Sequence, residues 1–291
     1  MMLDHINKIR GNFAIHATKK TDHMLDGSYL SVYKGRSLNF DDLREYVPGD
    51  NIRDIDWKAS SRARNLLVKR FVAEKKHNVL LVMDTGRKLS AHTIDMGSKK
   101  EVALIAGGTL GYVAAKNGDN VGAIYNDGDL LQFYQVKQGF YNLERILTDY
   151  ERCADHKTQY GIERPLEYIL KNISRRLVIL VVTDAEGVSR ISDSLLKQLA
   201  ARHDILLVEV SDADFTGGTP FEVNDEIYVP PFIARNKKLQ RMEQKLKKAK
   251  QDDDERRLLR AGVVSVCVRS EADVTEKLIE MMERHKYANK R

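Results

Sequence analysis

The chain has 291 residues, 42% of them hydrophobic, which is enough to bury one large core or two ordinary ones. Its 48 Lys and Arg residues exceed its 42 Asp and Glu residues, and the net charge of +6 suits acidic partners without requiring nucleic acid. The two cysteines, Cys153 and Cys267, lie far apart, and Cys267 sits in an apolar run, so a disulfide framework is not indicated.

No segment of the sequence has the pattern of a membrane-spanning helix. The longest weakly polar stretch, residues 102–115, is shorter than the roughly 20 residues that such a helix needs. The first residues contain no apolar region of the kind found in signal peptides. We therefore expect a cytoplasmic protein without a membrane span.

The N-terminal part of the chain divides into two segments. Residues 1–26 are predicted to form a short helix and a linker, with few large apolar side chains. Residues 27–77 change to short alternating runs, SYLSVYKG and LLVKRFVAE, around turn residues, and this pattern predicts a β-rich segment. Such a segment is too small to fold alone, so we expect it to pack on the larger C-terminal part of the chain.

From residue 78 to residue 291, apolar strands alternate with helices. The predicted strands are NVLLVMD, NVGAIYN, LLQFYQV, RLVILVVTD, DILLVEV and VVSVCV. The predicted helices cover residues 99–116, 142–150, 193–202 and 273–286, and one more precedes Arg175. Continuous apolar strands that alternate with helices are typical of a parallel sheet covered on both faces, so this pattern predicts a doubly wound, three-layer α/β domain.

Residues 211–262 interrupt the alternation and are predicted to be a helical insertion before the last strand. In its lysine-rich helix, Leu239, Met242, Leu246 and Ala249 recur at spacings of three, four and three residues and form a narrow apolar stripe. The acidic run QDDDERR comes next, and no aromatic residue is interleaved for base stacking, so we do not expect a nucleic-acid partner. The helix face is either solvated or docks a partner.

The densest motif is LREYVPGDNIRDIDWKASSRAR. Pro48 and Gly49 fit the central positions of a type II turn, because proline presets the first φ and glycine accepts the positive φ at the second position. Charged residues of alternating sign surround this turn: Arg44, Asp50, Arg53, Asp54, Asp56, Arg62 and Arg64. We expect these residues to form an ion-paired network, held in place by Tyr46 and by Trp57, the only tryptophan. The network acts either as a structural buttress or as a partner-binding surface.

This motif resembles the signature of domain-of-unknown-function family fifty-eight, a bacterial group similar to von Willebrand factor A domains. The resemblance is carried by Arg44, Tyr46, Pro48, Gly49, Asp50, Arg53, Ile55, Asp56, Trp57, Ser60 and Arg62, and continues through Phe71, Glu74, Asp84, Lys99, Gly118, Asp119, Val121, Gly122, Thr183 and Asp184. It implies a von Willebrand A-like fold from about residue 27 onwards. Genes of the family usually lie beside a MoxR-type AAA+ ATPase gene, which implies an adaptor or co-chaperone for that ATPase.

The wider superfamily carries a metal-ion-dependent adhesion site, with an Asp and two serines on one loop, a threonine on a middle loop and an Asp on a later loop. The resemblance places Asp84 and Asp184 at the two acidic positions, on the carboxyl edge of the sheet. Gly86 and Lys88 stand where the serines belong, and residues 139–142 offer no matching threonine. Because Mg²⁺ prefers six oxygen ligands and an ammonium repels it, we expect a degenerate site and no cofactor.

We expect Lys88 or Arg87 to pair with Asp84 and Asp184, which would leave a metal-free surface for a protein partner that includes Thr85 and Gly86. The alternative is that these residues only form turns at strand ends. Two other functions stay open: a divalent-metal-dependent binder using Mg²⁺ and a basic nucleic-acid binder.

The sequence does not support catalysis. A phosphotransferase of the haloacid dehalogenase type would need a carboxylate two residues after Asp84, where Gly86 stands. The chain contains no P-loop, no nucleophile elbow and no His-Glu-x-x-His motif. We therefore expect a non-enzymatic interaction module.

Overall fold

The structure is a computed structural model, and it describes residues 3–16, 19–33, 42–70, 76–91, 93, 97–155, 158–213, 216 and 235–288. The family positions Phe71 and Glu74 lie outside the described residues, and so do residues 217–234 of the expected insertion. No helix in the described ranges is both long enough and apolar enough to cross a membrane.

Two helices and a small sheet precede the core. The elements are α1 (Asp4–His16), α2 (Lys19–Tyr33), β1 (Asp42–Glu45), α3 (Trp57–Ala63) and β2 (Leu67–Arg70). Strands β1 and β2 pair antiparallel and form the small N-terminal sheet that the alternating runs predicted. The run SYLSVY was predicted as a strand, but it forms the second half of α2.

Tertiary packing explains why that run is helical. Leu25 and Tyr29 lie one helical turn apart and are both fully buried in the main core, together with Ile6 and Ile9 of α1. The hydroxyl of Tyr29 also donates a 2.8 Å hydrogen bond to the carboxylate of Asp119. A strand would place neighbouring apolar residues on opposite faces, so burial of these residues on one side favours the helix.

Six strands form the central sheet, in the order β5-β4-β3-β6-β7-β8. They are β3 (Asn78–Met83), β4 (Asn120–Asp127), β5 (Leu130–Lys137), β6 (Val178–Asp184), β7 (Asp204–Val210) and β8 (Val264–Val268). All neighbours are parallel except β5, an edge strand antiparallel to β4. The order reverses between β3 and β6, and the loops at such a switch point form the crevice where open α/β sheets bind ligands.

Helices cover both faces of this sheet. They are α4 (Lys99–Lys116), α5 (Phe140–Asp155), α6 (Glu163–Asn172), α7 (Ala185–Arg190), α8 (Asp193–Ala200), α9 (Lys237–Arg260) and α10 (Val274–Ala288). In β3, Val79, Leu81 and Met83 belong to the core on one face, while Leu80 and Val82 belong to the core on the other. The structure confirms the predicted von Willebrand A-like architecture, a mostly parallel sheet between two helical layers.

Helix α9 fills the expected insertion before β8. Only its C-terminal part reaches the core, where Leu258 is buried. The predicted apolar stripe is exposed: Leu239, Met242 and Leu246 are 39%, 53% and 68% accessible. This stripe therefore contributes little to the core of the described chain.

Candidate functional site

The two predicted acidic loops meet at the carboxyl edge of the sheet. Strands β3 and β6 are adjacent and parallel, with Met83 opposite Val182, so Asp84 and Asp184 leave the sheet on the same side. Both side chains are buried, at 6% and 3% exposure. The hydroxyl of Thr183 donates a 2.6 Å hydrogen bond to Oδ2 of Asp84, which links the two strand ends directly.

A buried lysine supplies the positive charge at this edge. Lys99, the first residue of α4, is fully buried, and its Nζ lies 2.9 Å from Oδ2 of Asp184. The same ammonium pairs with Asp212, just after β7, and donates to the carbonyl oxygen of Lys88 at 3.2 Å. Burial alone would lower the pKa of Lys99, but the charges of the two aspartates outweigh burial and hold that pKa above its usual value. The ammonium is therefore a permanent internal cation.

The expected pairing of Lys88 with Asp84 and Asp184 was wrong. The side chain of Lys88 is 56% exposed and pairs with Glu186. Lys88 lies in a short 3₁₀ helix, Arg87–Ser90, which leaves its side chain on the surface, while only its backbone carbonyl contacts the ammonium of Lys99. Because the ammonium of Lys99 already lies beside Asp184, the exposed Lys88 is not needed to neutralise the carboxylate of Asp184.

Asp84 lies in a different electrostatic environment from Asp184. Its carboxylate accepts hydrogen bonds from the backbone N–H of Gly86, at 2.9 Å, and from Thr183. Burial raises the pKa of Asp84 to about 6, and the nearby charge of Asp184 adds to the shift, while the two hydrogen bonds oppose it. A fraction of Asp84 is consequently protonated near neutral pH.

Asp184 is fixed from two sides. Its Oδ1 caps α7 by accepting the backbone N–H groups of Glu186 at 3.1 Å and Gly187 at 2.9 Å, while Oδ2 faces Lys99. A Cβ at Gly187 would overlap the hydroxyl of Thr183 and lie 3.0 Å from Oδ2 of Asp84, so only glycine fits here. The carboxylate of Asp184 is thus committed to internal contacts.

This arrangement does not fit the divalent cation of the wider superfamily. Gly86 and Lys88 provide no hydroxyl ligands, and the Lys99 ammonium lies within hydrogen-bond distance of Asp184, where it would repel a metal ion. In the described part of the chain, no group of three or more His, Cys, Asp or Glu side chains could hold a metal.

A cavity of about 400 Å³ opens beside the two aspartates. Its wall includes Lys88, Glu186 and Arg190. The carboxylate of Glu186 pairs with Lys88 on one side and with Arg190, at 2.8 Å, on the other. Thr85 is fully buried, and its hydroxyl donates to the carbonyl oxygen of Asn126 at 2.8 Å. Thr85 therefore holds the loop in place and is not part of the exposed surface. The chemistry offered to the outside is a row of alternating charges.

Sequence reasoning did not find Lys99, Asp212, Glu186 or Arg190 as participants in this site. One signal pointed to Lys99: the Lys99-Lys100 pair begins a helix, where positive charge is unfavourable next to the helix dipole and suggests another partner. Asp212 carried no such signal, because its approach depends on how the chain turns after β7.

The signature residues mainly brace the N-terminal sheet. Gly49 has φ +113°, and the N–H of Asp50 donates to the carbonyl of Val47 at 3.0 Å, which confirms the predicted turn. Arg44 pairs with Asp50 across this turn, and Tyr46 N–H donates to the carbonyl of Leu66 at 2.8 Å.

Two more signature residues hold α3 in place. Asp56 caps this helix at the N–H groups of Lys58 and Ala59, at 3.1 and 3.0 Å. The buried hydroxyl of Ser60 donates to the carbonyl of Asp56 and accepts from the N–H of Leu67 at 2.8 Å. The expected anchoring role of Trp57 was wrong, because Trp57 is 64% exposed.

We predict that Lys99→Met destabilises the protein by about 3–5 kcal/mol, because it leaves the buried carboxylate of Asp184 without a counter-charge. The matched control, Lys88→Met, removes an exposed pair and should change stability by less than about 1 kcal/mol. Urea unfolding followed by circular dichroism measures both. Equal effects of the two substitutions would contradict the role given to Lys99.

We also predict that Asp84→Asn makes stability less dependent on pH. A carboxyl whose pKa is raised by folding stabilises the protein at low pH, and this contribution is lost as pH rises through the folded pKa, here about 6. As pH rises from 5 to 8, the free energy of unfolding of the variant should increase by about 1–2 kcal/mol relative to that of the native chain. Asp253→Asn, at an exposed position, is the control, and a parallel gain there would refute the explanation.

Known proteins similar to this chain are themselves mostly uncharacterised. The "Uncharacterized protein Rv1480" of Mycobacterium tuberculosis (strain ATCC 25618 / H37Rv) and "Uncharacterized protein Mb1516" of Mycobacterium bovis are each 24% identical over 198 residues, covering 67% of this chain and 61% of the relative. The chain therefore spans less than two thirds of the length of these relatives.

Two solved structures resemble the chain. The conserved hypothetical protein BatB from Bacteroides thetaiotaomicron is similar at 15% identity and a TM-score of 0.45, over 72% of this chain and 98% of that one. A von Willebrand factor type A protein from Catenulispora acidiphila is similar at 11% identity and a TM-score of 0.38, over 76% and 44%.

A family model described as "Protein of unknown function DUF58" matches residues 42–215, which is more than half of the chain. The match begins at the signature segment and continues through both carboxyl-edge loops to the residues just after β7. The chain therefore belongs to the family described as protein of unknown function DUF58.

Proposed function

We propose that this protein is a non-enzymatic interaction module that serves as an adaptor or co-chaperone of a MoxR-type AAA+ ATPase. One observation carries the interaction role: at the switch point of the sheet, the carboxylate of Asp184 is already paired with the buried ammonium of Lys99, which also pairs with Asp212. The residues that reach the surface there are the charged Lys88, Glu186 and Arg190, which suit contact with another protein.

The choice of an ATPase as partner comes from the family resemblance. We expect the surface of the ATPase to contact the carboxyl-edge loops, because these loops border the cavity of about 400 Å³ and present charges of both signs. Alternating charges favour a specific orientation of the partner more than they add to affinity. We place the protein in the cytoplasm, where its two cysteines, free thiols in the structure, stay reduced.

The absence of catalysis is also part of this proposal. At this edge of the sheet, burial raises the pKa of Asp84 to about 6, which approaches the range that suits proton transfer. Its two oxygens already accept hydrogen bonds from Gly86 and Thr183, and the neighbouring Asp184 is paired with Lys99. No second group near Asp84 is arranged as a nucleophile within the described residues, so a binding role is favoured.

We predict that the pair of substitutions Lys88→Glu and Arg190→Glu weakens binding to the MoxR-type ATPase of the same organism by at least about tenfold, because both changes invert charge on the cavity wall. Lys171→Glu together with Lys197→Glu, at exposed positions on α6 and α8, is the charge-matched control. Binding of the purified proteins is measured by calorimetry with and without ATP. Wild-type affinity in the double variant, or no binding by the native chain, would reject the proposal.

We further predict that binding and stability are independent of divalent metal, because Lys99 holds the place of a cation. Millimolar Mg²⁺ or Ca²⁺ should not raise the melting temperature relative to EDTA, whereas any ligand that binds the native state must raise it. Differential scanning calorimetry checks this outcome. A metal-dependent rise would favour the alternative of a metal-dependent binder.

A further inference from the structure

The signature segment exposes an unusual concentration of apolar surface. Val47, Ile52, Trp57 and Leu66 are 54%, 64%, 64% and 46% accessible, although all four lie close to the two-stranded sheet. The same segment buries two aliphatic residues, Ile55 and Val68. A folded chain normally covers its tryptophan, and exposed Trp side chains are enriched where proteins contact each other.

Positive charge surrounds this apolar surface. Arg53, Lys58, Arg62 and Arg64 are all exposed, and no ion pair joins them to another residue in the described part of the chain. On α3, Lys58 and Arg62 lie one turn apart and therefore share a face.

Several nearby carboxylates have partners within the segment. Asp50 pairs with Arg44, Asp56 caps α3, and the exposed Glu45 accepts a hydrogen bond from Asn65, while Asp54 is half-buried. The four exposed cations therefore outnumber the carboxylates that reach solvent.

One of these cations occupies a backbone conformation that disfavours it. Arg64 ends α3 with φ +59°, and it is the one non-glycine residue with positive φ among those that the structure describes. Glycine is the usual residue at this position of a helix, because a Cβ in the left-handed region costs roughly 1–2 kcal/mol. Within the described ranges, no ion pair or side-chain hydrogen bond of the exposed Arg64 offsets this cost.

We propose that this surface binds an acidic segment of a second protein, with Trp57 as the apolar anchor and the guanidinium groups as partners for its carboxylates. We name it the Trp57 face, defined as Val47, Ile52, Arg53, Trp57, Lys58, Arg62, Arg64 and Leu66. Trp and Arg are the residues most enriched at the centres of protein interfaces, and charge complementarity selects an acidic partner.

A protein fits this face better than a nucleic acid. The aliphatic side chains of Val47, Ile52 and Leu66 have no counterpart on a phosphodiester backbone, whereas they complement leucine or phenylalanine side chains of a peptide. The Trp57 face shares no residue with the carboxyl edge, so the proposal does not depend on the ATPase.

The chain offers a direct reporter, because Trp57 is its only tryptophan. The probes are fluorescein-labelled peptides in which Glu and Asp flank Leu and Phe, the same peptides with Gln and Asn instead, and a dT oligonucleotide. We expect the acidic peptides to shift the tryptophan emission of the full chain to the blue, and the amide peptides to bind at least about tenfold more weakly. Preference for the oligonucleotide, or equal binding of acidic and amide peptides, would overturn the proposal.

Substitutions separate a binding role from a structural one. Arg64→Gly should weaken binding of the acidic peptide several-fold, as measured by fluorescence anisotropy. The melting temperature of this variant should stay the same or rise, because glycine relieves the strain of the left-handed backbone conformation. Trp57→Ala should abolish binding, and Lys197→Ala, which removes a cation elsewhere, serves as control. Unchanged peptide binding in Arg64→Gly or Trp57→Ala would overturn the assignment. Neither variant should alter capture of the ATPase, so failure of one proposal is distinguishable from failure of the other.

Discussion

The ammonium of Lys99 is the interaction on which the carboxyl edge depends. It joins the start of α4, the end of β6 and the residues after β7 through Asp184 and Asp212. Placing ions inside a protein costs several kcal/mol each, and only close partners offset that cost. Removing Lys99 therefore leaves the buried carboxylate of Asp184 without a counter-charge, whereas removing the partly exposed Asp212 still leaves Lys99 paired with Asp184.

This cluster changes what the switch point of the sheet is able to bind. In an open α/β sheet the crevice at the strand ends is where a ligand enters, and here the carboxylate of Asp184 at that crevice is already paired with the chain's own ammonium. A tethered cation does not dissociate, so we expect the loops to keep one geometry whether or not a divalent metal is present. The proposed docking of a partner at Lys88, Glu186 and Arg190 then depends on shape and charge alone.

Much of the core was predictable because its pattern is local. The apolar runs of β3, β6 and β7 indicate buried parallel strands, and the structure confirms them. The run in residues 28–33 was assigned wrongly, because its alternation suits a strand while Leu25 and Tyr29 pack as one face of a helix. For Trp57, the sequence indicated a residue that holds an ion-paired network in place, whereas the structure leaves it 64% exposed.

The sequence by itself determined the order of the six core strands, the turn at Gly49 and the presence of acidic residues at two strand ends, because each depends on neighbours within a few positions. Only the tertiary structure decided which cation meets Asp184. Lys88 is near Asp84 in the chain, but Lys99 reaches Asp184 across 85 positions, and Asp212 approaches from the other side. Pairings of that kind depend on how separate elements pack, which local pattern does not encode.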